Sequence, residues 1–297
     1  MSLCPRRAPW VLATFASSVL LMSCGGGSDD SGGTADTASP AAEDSALAAR
    51  VPASIGSDGV LTVGTDPTYA PNEFLDTDGK TIIGFNIDLF DAVAQTLGLR
   101  TEYVAAPFDA IIPGVQSGKY EVGVSSFTIN PERTQVVDMV SYFAAGTQWA
   151  TGEGTTDLDP ADACGRKVAV QRGTVQVDDI TARDDACAAA GKPRITIDQY
   201  QGQDEASAAV VSGKDEAMLA DSPVIAYAVK QSDGRLQALG DIYDSAPYGY
   251  VVDKEQPDLA EVLVEAVDET IANGAYRAAL TPWGVEQGGI DRSALNQ

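Results

Sequence analysis

Apolar residues recur at helical spacing in two long stretches of the chain. Leu89, Val93 and Leu97 lie four residues apart and Gly98 follows, which predicts a helix over residues 88–97 that ends at the glycine. A second series repeats that spacing between 259 and 276 and predicts an amphipathic helix with one apolar face. Both helices need an apolar partner, so the pattern indicates a packed core.

Short runs rich in β-branched residues alternate with helical stretches along the rest of the chain. We expect strands over 59–65, 100–104, 121–126, 167–170, 195–197 and 216–220. Further helices are expected over 108–118, 204–212 and 222–229. This alternation predicts an α/β fold with a largely parallel sheet, in which ligands bind beyond the carboxyl ends of the strands.

The first 24 residues read as an export leader. Arg6 and Arg7 precede an apolar stretch over 10–21 that is too short to span a membrane comfortably. The sequence LMSC at 21–24 resembles the lipobox of bacterial lipoproteins, which implies that Cys24 becomes the lipidated first residue of the mature chain. The alternative is an ordinary secretory leader, and the arginine pair also permits twin-arginine export.

Residues 25–57 consist mainly of Gly, Ser, Thr, Ala, Asp and Pro. Such a segment buries too little apolar surface to offset the entropy lost on ordering. We therefore expect a disordered tether between the membrane and the folded part.

Charge and composition exclude several classes of function. The chain has 43 Asp and Glu against 19 Lys and Arg, so nucleic acid and anionic lipid headgroups are not expected as partners. It has no histidine, which excludes Ser-His-Asp and Cys-His nucleophiles and histidine-ligated metals. No cofactor is expected, while enzymes that use carboxylates alone stay open.

The segment 125–133, SSFTINPER, is the clearest candidate site. Asn130 and Pro131 are typical of a helix start, which exposes backbone N–H groups beside the hydroxyls of Ser125, Ser126 and Thr128. Arg133 adds a guanidinium that can pair with both oxygens of a carboxylate. The alternative is a capped helix with a surface arginine.

Six blocks extend this candidate into a family resemblance. They are VGTDPTYAP (63–71), GFNIDL (84–89), FDAIIP (108–113), SSFTINPER (125–133), VQRGT (170–174) and ADSP (220–223). In this order they resemble the polar amino-acid-binding family (family 3) of bacterial extracellular solute-binding proteins, the receptors of ABC importers. The resemblance covers about 60–284 and implies the two-lobe type II periplasmic-binding-protein fold, whose lobes are joined by two hinge strands.

The resemblance also implies a division of the chain. Lobe 1 would comprise 58–147 and 249–290, and lobe 2 would comprise 148–248, with crossings over 143–151 and 248–253. Cys164 and Cys187 both fall in lobe 2 of an exported chain, so we expect a disulfide between them, the alternative being two reduced thiols.

The implied ligand lies in the cleft between the lobes. The implied ligand-binding residues are Asp66, Tyr69, Phe108, Ser125, Ser126, Thr128, Arg133, Gly173, Thr174 and Asp221. Arg133 with the Thr128 and Thr174 donors would hold the α-carboxylate of an amino acid, and Asp221 its α-ammonium. Tyr69 and Phe108 would cover the apolar stem, while Asp66 would face the side chain. Many members of the family carry an aromatic residue at the position of Asn72. Read without the family, Asp66 starts a common turn and Asp221 caps a helix.

The identity of the bound amino acid stays open at this point. Asp66 and Asp221 against Arg133 leave one excess negative charge, which favours a cationic side chain such as arginine or lysine, followed by a neutral amide. Arg172 borders the same loop, however, and would suit an acidic side chain such as glutamate.

The resemblance implies the binding component of an amino-acid ABC importer, not an enzyme. Its partners would be a free L-amino acid and the permease with its ATPase. It would be a monomer, lipid-anchored to the outer face of the cell membrane. Two alternatives are a dehydratase of the same fold acting on cyclic acids, which would need a carboxyl of raised pKa, and a tethered sensor without a permease.

Overall fold

A computed structural model describes residues 42–55 and 57–297. The strands are β1 Val60–Thr65, β2 Thr68–Tyr69, β3 Glu73–Leu75, β4 Ile82–Ile83, β5 Arg100–Ala105, β6 Val122–Gly123, β7 Val137–Gly152, β8 Lys167–Gln171, β9 Thr196–Tyr200, β10 Ala217–Asp221 and β11 Leu236–Asp253. The helices are α1 Ser45–Ala48, α2 Phe85–Thr96, α3 Phe108–Gln116, α4 Pro131–Val136, α5 Val175–Ala189, α6 Gln203–Val211, α7 Ser222–Gln231, α8 Pro257–Asn273 and α9 Ala275–Leu280, followed by 3₁₀ turns at Thr281–Trp283 and Glu286–Gly288.

One eight-stranded sheet runs through both lobes in the order β5-β1-β6-β11-β7-β10-β8-β9. In lobe 1, β5, β1 and β6 are parallel, and in lobe 2, β10, β8 and β9 are parallel. The strands β2, β3 and β4 form a separate, small antiparallel sheet in lobe 1. The predicted α/β class and two-lobe fold are confirmed.

The long strands β7 and β11 connect the lobes. They pair antiparallel from Val137 opposite Asp253 to Gly152 opposite Leu236. β6 pairs with the lobe 1 end of β11, and β10 pairs with the lobe 2 end of β7. The segments predicted as crossings lie within these two strands.

The apolar stripe of α2 packs as its spacing predicts. Leu89 and Val93 belong to the same buried cluster as Leu259 and Leu263 of α8, so the two helices cover the lobe 1 sheet together. In lobe 2, alternate residues of β8 enter separate clusters on the two faces of the sheet, as the pleat of a strand requires.

Two elements are shorter than the sequence predicted. The helix expected over 259–276 is divided at Gly274, whose φ of +86° is accessible mainly to glycine, so that α8 ends and α9 begins there. The strand expected over 121–126 pairs only at Val122–Gly123, after which the chain turns towards α4 with Ser126 at a φ of +54°.

The structure also differs from the predicted tether. Asp44 caps α1, and Leu47 and Ile55 are buried in the lobe 1 cluster. Arg50 forms an ion pair with Glu265 of α8. Leu47, Ile55 and the partly buried Val51 thus pack 44–55 against lobe 1, where a disordered segment was expected.

The remainder of the predicted tether, the leader and Cys24 lie outside the described residues. Within 42–55 and 57–297, no helix is both long and apolar enough to cross a membrane.

The expected disulfide between Cys164 and Cys187 is present, with the two Cα atoms 5.6 Å apart. Cys187 is on α5, and the bond ties that helix to the segment that precedes β8. Both cysteines lie in or against the apolar cluster around Trp149 and Ile180. The bond therefore closes a loop that contains a core strand and most of a core helix.

Replacing both cysteines by serine is expected to lower the free energy of unfolding of lobe 2 by about 3 kcal/mol, because the bond spans a sequence separation of 23 and restricts the unfolded chain. Urea unfolding of the variant, beside the wild type with and without reductant, measures this loss. Equal unfolding midpoints for all three samples would contradict it.

Candidate functional site

A narrow pocket lies between the lobes, where strands of both lobes end. Lobe 1 contributes Tyr69, Phe108, Ser126, Thr128 and Arg133, and lobe 2 contributes Thr174, Val175, Gln176 and Asp221. Its volume is about 10 Å³, which is far below the volume of an amino acid, so entry of one requires the lobes to separate. Of the predicted ligand-binding residues, Asp66, Ser125 and Gly173 are not in this lining.

Arg133 is held by the helix start that the sequence predicted. The side-chain oxygen of Asn130 accepts from the N–H of Arg133 at 2.8 Å, and Pro131 begins α4. The guanidinium donates to the carbonyl of Thr128 at 2.7 Å and, across the cleft, to that of Gly173 at 3.1 Å. Burial lowers the pKa of Arg133, but an arginine stays charged in proteins.

Two aromatic rings fix the position of this guanidinium. Phe108 and Phe127 stack with ring centroids 4.4 Å apart, and the guanidinium carbon of Arg133 lies 5.5 and 5.4 Å from them. Gly173 faces them with a φ of +79°, where a Cβ would come within 3.0 Å of Asp109. A side chain at position 173 would therefore keep the lobes apart.

Asp221 faces the cleft from lobe 2 and makes no side-chain capping bond to α7. Tyr69 of lobe 1 donates its hydroxyl to one carboxylate oxygen at 3.0 Å, and Gln176 donates to the other at 2.8 Å. Burial raises the pKa of Asp221, while these donors and the charge of Arg133 oppose the shift. Asp221 thus occupies the N-cap position of α7, as predicted, but its carboxylate is directed to Tyr69 and Gln176 at the cleft and does not cap the helix.

Asp66 lies behind the pocket lining and bridges the lobes. One oxygen accepts from the N–H of Phe108 at 3.0 Å and from the amide of Gln171 at 2.7 Å. Burial raises the pKa of Asp66 to about 6, against the hydrogen bonds from Thr68, Phe108 and Gln171. A carboxylate with this pKa can change its charge near neutral pH.

The predicted hydroxyl donors are mostly engaged inside the protein. Ser125 and Ser126 contact the carboxylate of Glu73 at 3.1 and 3.2 Å, and Thr174 donates to the carbonyl of Gln171 at 2.8 Å. These side chains lie near the pocket, as expected, but their hydroxyl protons are directed away from it.

A wider cavity of about 370 Å³ adjoins the pocket on the other side of Phe108 and Arg133. Both lobes line it, and three acidic residues, Asp109, Glu132 and Asp178, lie around it. It therefore gives the cleft an acidic outer part.

Arg172 takes no part in either space. Its side chain is exposed and donates to the side chain of Gln201 at 3.3 Å. The cation that would suit an acidic ligand thus points away from the pocket.

Five residues at or behind the pocket were not predicted from the sequence: Gln171, Val175 and Gln176 on the lobe 2 side, and Glu73 and Asn86 on the lobe 1 side. Gln171 lies inside the block VQRGT and Asn86 inside GFNIDL, but the sequence does not indicate what these two side chains bind. Gln176 follows Thr174 by two residues, yet a glutamine there carries no distinctive motif.

Comparisons with known proteins show the family to which the chain belongs. The sequence profile described as "Bacterial extracellular solute-binding proteins, family 3" matches residues 61–286. The "Arginine-binding protein ArgT" of Corynebacterium glutamicum is 40% identical over 253 residues, which are 84% of this chain and 83% of that protein.

Two solved structures are also similar. "An ancestral arginine-binding protein bound to arginine" has 31% identity and a TM-score of 0.71, over 76% of this chain and 98% of that one. An ancestral amino acid-binding protein described as a precursor of cyclohexadienyl dehydratase has 32% identity and a TM-score of 0.67, over 77% of this chain and 97% of that one. The chain belongs to family 3 of the bacterial extracellular solute-binding proteins.

Proposed function

We propose that this chain is the receptor of an ABC importer for a free L-amino acid with a basic side chain, arginine foremost. One observation carries the proposal. A buried guanidinium from lobe 1, Arg133, and a buried carboxylate from lobe 2, Asp221, line the same pocket. Opposite charges on opposite walls complement the carboxylate and ammonium of an amino acid.

In this proposal the α-groups are bound by different lobes. Arg133 pairs with the α-carboxylate once the lobes part and its contact with Gly173 is released. Asp221 takes the α-ammonium in place of the Tyr69 hydroxyl. Tyr69 and Phe108 then cover the apolar stem, and the backbone near Ser126, Thr128 and Thr174 completes the carboxylate site. A ligand bound in this way stabilises the closed form, which the permease recognises.

A basic side chain is favoured over an acidic one for two reasons. Asp66 places a second carboxylate behind the pocket, whereas Arg172 points away from it. Two of the three relatives named above are described as arginine-binding, and we extend that preference to this chain. The descriptions of those two relatives as binding proteins also make binding without catalysis the simpler proposal, although one relative is described as a dehydratase precursor.

The proposal includes the location of the protein. Residues 1–24 act as a leader, Cys24 carries the lipid anchor, and residues 25–41 supply the reach to lobe 1. The division into lobe 1 (58–147 and 249–290) and lobe 2 (148–248) and the monomeric state are part of the same proposal.

The first test is thermal unfolding of the exported chain, with Cys24→Ser to keep it soluble, against a panel of amino acids. A ligand at about a hundred times its Kd should add roughly 2.7 kcal/mol, a rise in Tm of about 5 to 10 °C for a chain of this size. We expect that rise in Tm when the wild type binds arginine, and a smaller rise with lysine. The Arg133→Ala variant should show no rise with either ligand.

The protein for this panel must first be freed of carried-over amino acid by unfolding and refolding. A rise with glutamate alone would overturn the basic preference. The absence of any rise, together with turnover of cyclic carboxylic acids, would replace the receptor by an enzyme.

The affinity for arginine should fall as the pH drops below about 6. Burial raises the pKa of Asp66 to about 6, so below that pH Asp66 is neutral and loses its attraction for a guanidinium. One coupled proton gives at most about a tenfold loss per pH unit. Calorimetric titration with arginine and with neutral citrulline separates this effect from protonation of Asp221, which acts on both ligands.

The Asp66→Asn variant is the control for this titration. It should bind arginine more weakly at pH 7.5 and show the same pH dependence for both ligands. A wild-type ratio of arginine to citrulline affinity that is constant from pH 8 to 5 would contradict the role of Asp66.

Tyr69→Phe is expected to open the lobes in the absence of an amino acid. It removes the hydroxyl that Tyr69 donates to Asp221 across the cleft, and a hydrogen bond to a charged group contributes about 1.5 to 3 kcal/mol. Small-angle X-ray scattering should show a larger radius of gyration, restored by saturating arginine.

Tyr103→Phe is the matched control, because Tyr103 donates to Asp91 at 2.8 Å within lobe 1, away from the cleft. An unchanged radius for Tyr69→Phe, or an equal increase for both variants, would refute this role of Tyr69.

A further inference from the structure

Glu73 is a buried carboxylate that the proposed function does not use. It lies at the start of β3, and its side chain has no exposed surface. No lysine or arginine is among the groups that act on it in the described part of the chain. Burying a carboxyl group without a cation is costly, so its position calls for a compensating interaction.

Three donors supply that compensation. The amide of Asn86, on α2, contacts one oxygen of Glu73 at 2.5 Å. The hydroxyls of Ser125 and Ser126 contact the other at 3.1 and 3.2 Å. Burial raises the pKa of Glu73 well above its usual value, and these hydrogen bonds oppose the shift. The Asn86 amide donates to Glu73, and the Ser126 hydroxyl must donate as well, because its lone pairs accept from Asn72 and Asn86; Glu73 is therefore an acceptor for both, which is the role of a carboxylate.

The arrangement uses the whole hydrogen-bonding capacity of the Ser126 hydroxyl. A hydroxyl has one proton and two lone pairs. Asn72 and Asn86 donate to this oxygen at 2.8 and 2.9 Å, and its proton is directed to Glu73. Ser126 nevertheless lines the pocket. It therefore faces a ligand with its backbone, while its side chain belongs to the network around Glu73.

Ser125 connects the same network to Asp66. Its hydroxyl accepts from the backbone N–H of Asp66 at 3.0 Å and directs its proton to Glu73. Glu73 thus determines which way this hydroxyl points, and the hydroxyl holds the main chain of Asp66. The position of the Asp66 carboxylate therefore depends on this main-chain hydrogen bond.

We propose that Glu73 is a positioning residue for side-chain recognition, which holds Asp66 through Ser125 and withdraws the Ser126 hydroxyl from the ligand. This inference rests on the proposed function, because it assigns to Glu73 the selectivity for a cationic side chain. The side chains of Arg133 and Asp221, which hold the α-groups in that proposal, have their hydrogen-bond partners outside this network in the described part of the chain.

Glu73→Gln tests the proposal, because it keeps the shape of the side chain and replaces one acceptor oxygen by a donor. Calorimetric titration of the refolded exported chain with arginine and with citrulline gives two affinities. We expect the ratio of arginine to citrulline affinity to fall about tenfold, because Asp66 is no longer held in place. Glu73→Asp, which keeps the carboxylate, should recover most of that ratio.

Ser126→Gly tests the second half of the proposal. Glycine accepts the φ of +54° without strain and removes the CH2OH group of the side chain. The ratio of arginine to citrulline affinity should stay within about threefold of the wild type, because a hydroxyl that does not touch the ligand does not discriminate between the two side chains.

Asp184→Asn is the matched control. Asp184 is a buried carboxylate of lobe 2 that accepts from Arg194 and from the N–H of Ile195, away from the cleft. It should lower Tm and leave the affinity ratio unchanged.

An equal loss of both affinities in Glu73→Gln would reduce Glu73 to a structural role and overturn the proposal. A tenfold change of the affinity ratio in Ser126→Gly would show that the hydroxyl contacts the side chain of the ligand, and would overturn the second half of the proposal. A wild type without preference for arginine would overturn the proposed function as well, whereas a preference that survives Glu73→Gln would overturn only the role of Glu73. If Glu73→Gln does not fold, Glu73→Asp and Ser126→Gly still decide the question, since an affinity ratio lost in Glu73→Asp or changed tenfold in Ser126→Gly contradicts the proposal.

Discussion

The antiparallel pairing of β7 with β11 is the constraint on which the rest of this structure depends. Their pairing makes one sheet out of two lobes, and the cleft lies where strands from both lobes end. In lobe 1 the pair is stiffened by stacked rings, with Tyr142 and Tyr250 4.0 Å apart and nearly parallel. Towards lobe 2 the register shifts repeatedly between Leu239 and Ala246. We infer that bending on opening is concentrated in this irregular part.

The cleft brings together more buried negative charge than positive charge. Asp66, Glu73 and Asp221 are buried around the cleft, whereas Arg133 is the one buried cationic side chain among the described residues. Burial raises the pKa of each of these carboxyl groups, which means that the closed form holds them at a cost. A ligand that brings a second positive charge offsets part of that cost, so closure and preference for a cation have the same physical origin.

Local features of the site could be predicted from the sequence, and long-range ones could not. The cap of α4 by Asn130 and the stripe of α2 depend on residues within one or two turns, and both predictions are confirmed. Asp221 lies at the predicted N-cap position of α7, but the sequence could not show that its side chain binds Tyr69, which is 152 residues away. The engagement of Ser126 depends likewise on residues 40 to 54 positions distant. The sequence shows which hydrogen-bond donors a segment has, but not which of them bind other residues in the folded protein.

On the proposed assignment, recognition of the amino acid is divided between two structural tasks. Arg133 and Asp221 lie on different lobes, so the α-groups bridge the cleft whatever the side chain, and this bridge couples binding to closure. The side chain of the bound amino acid is selected mainly by lobe 1, through Asp66 and the hydrogen-bond network around Glu73. Substitutions in that network can therefore change selectivity while the closing contacts persist.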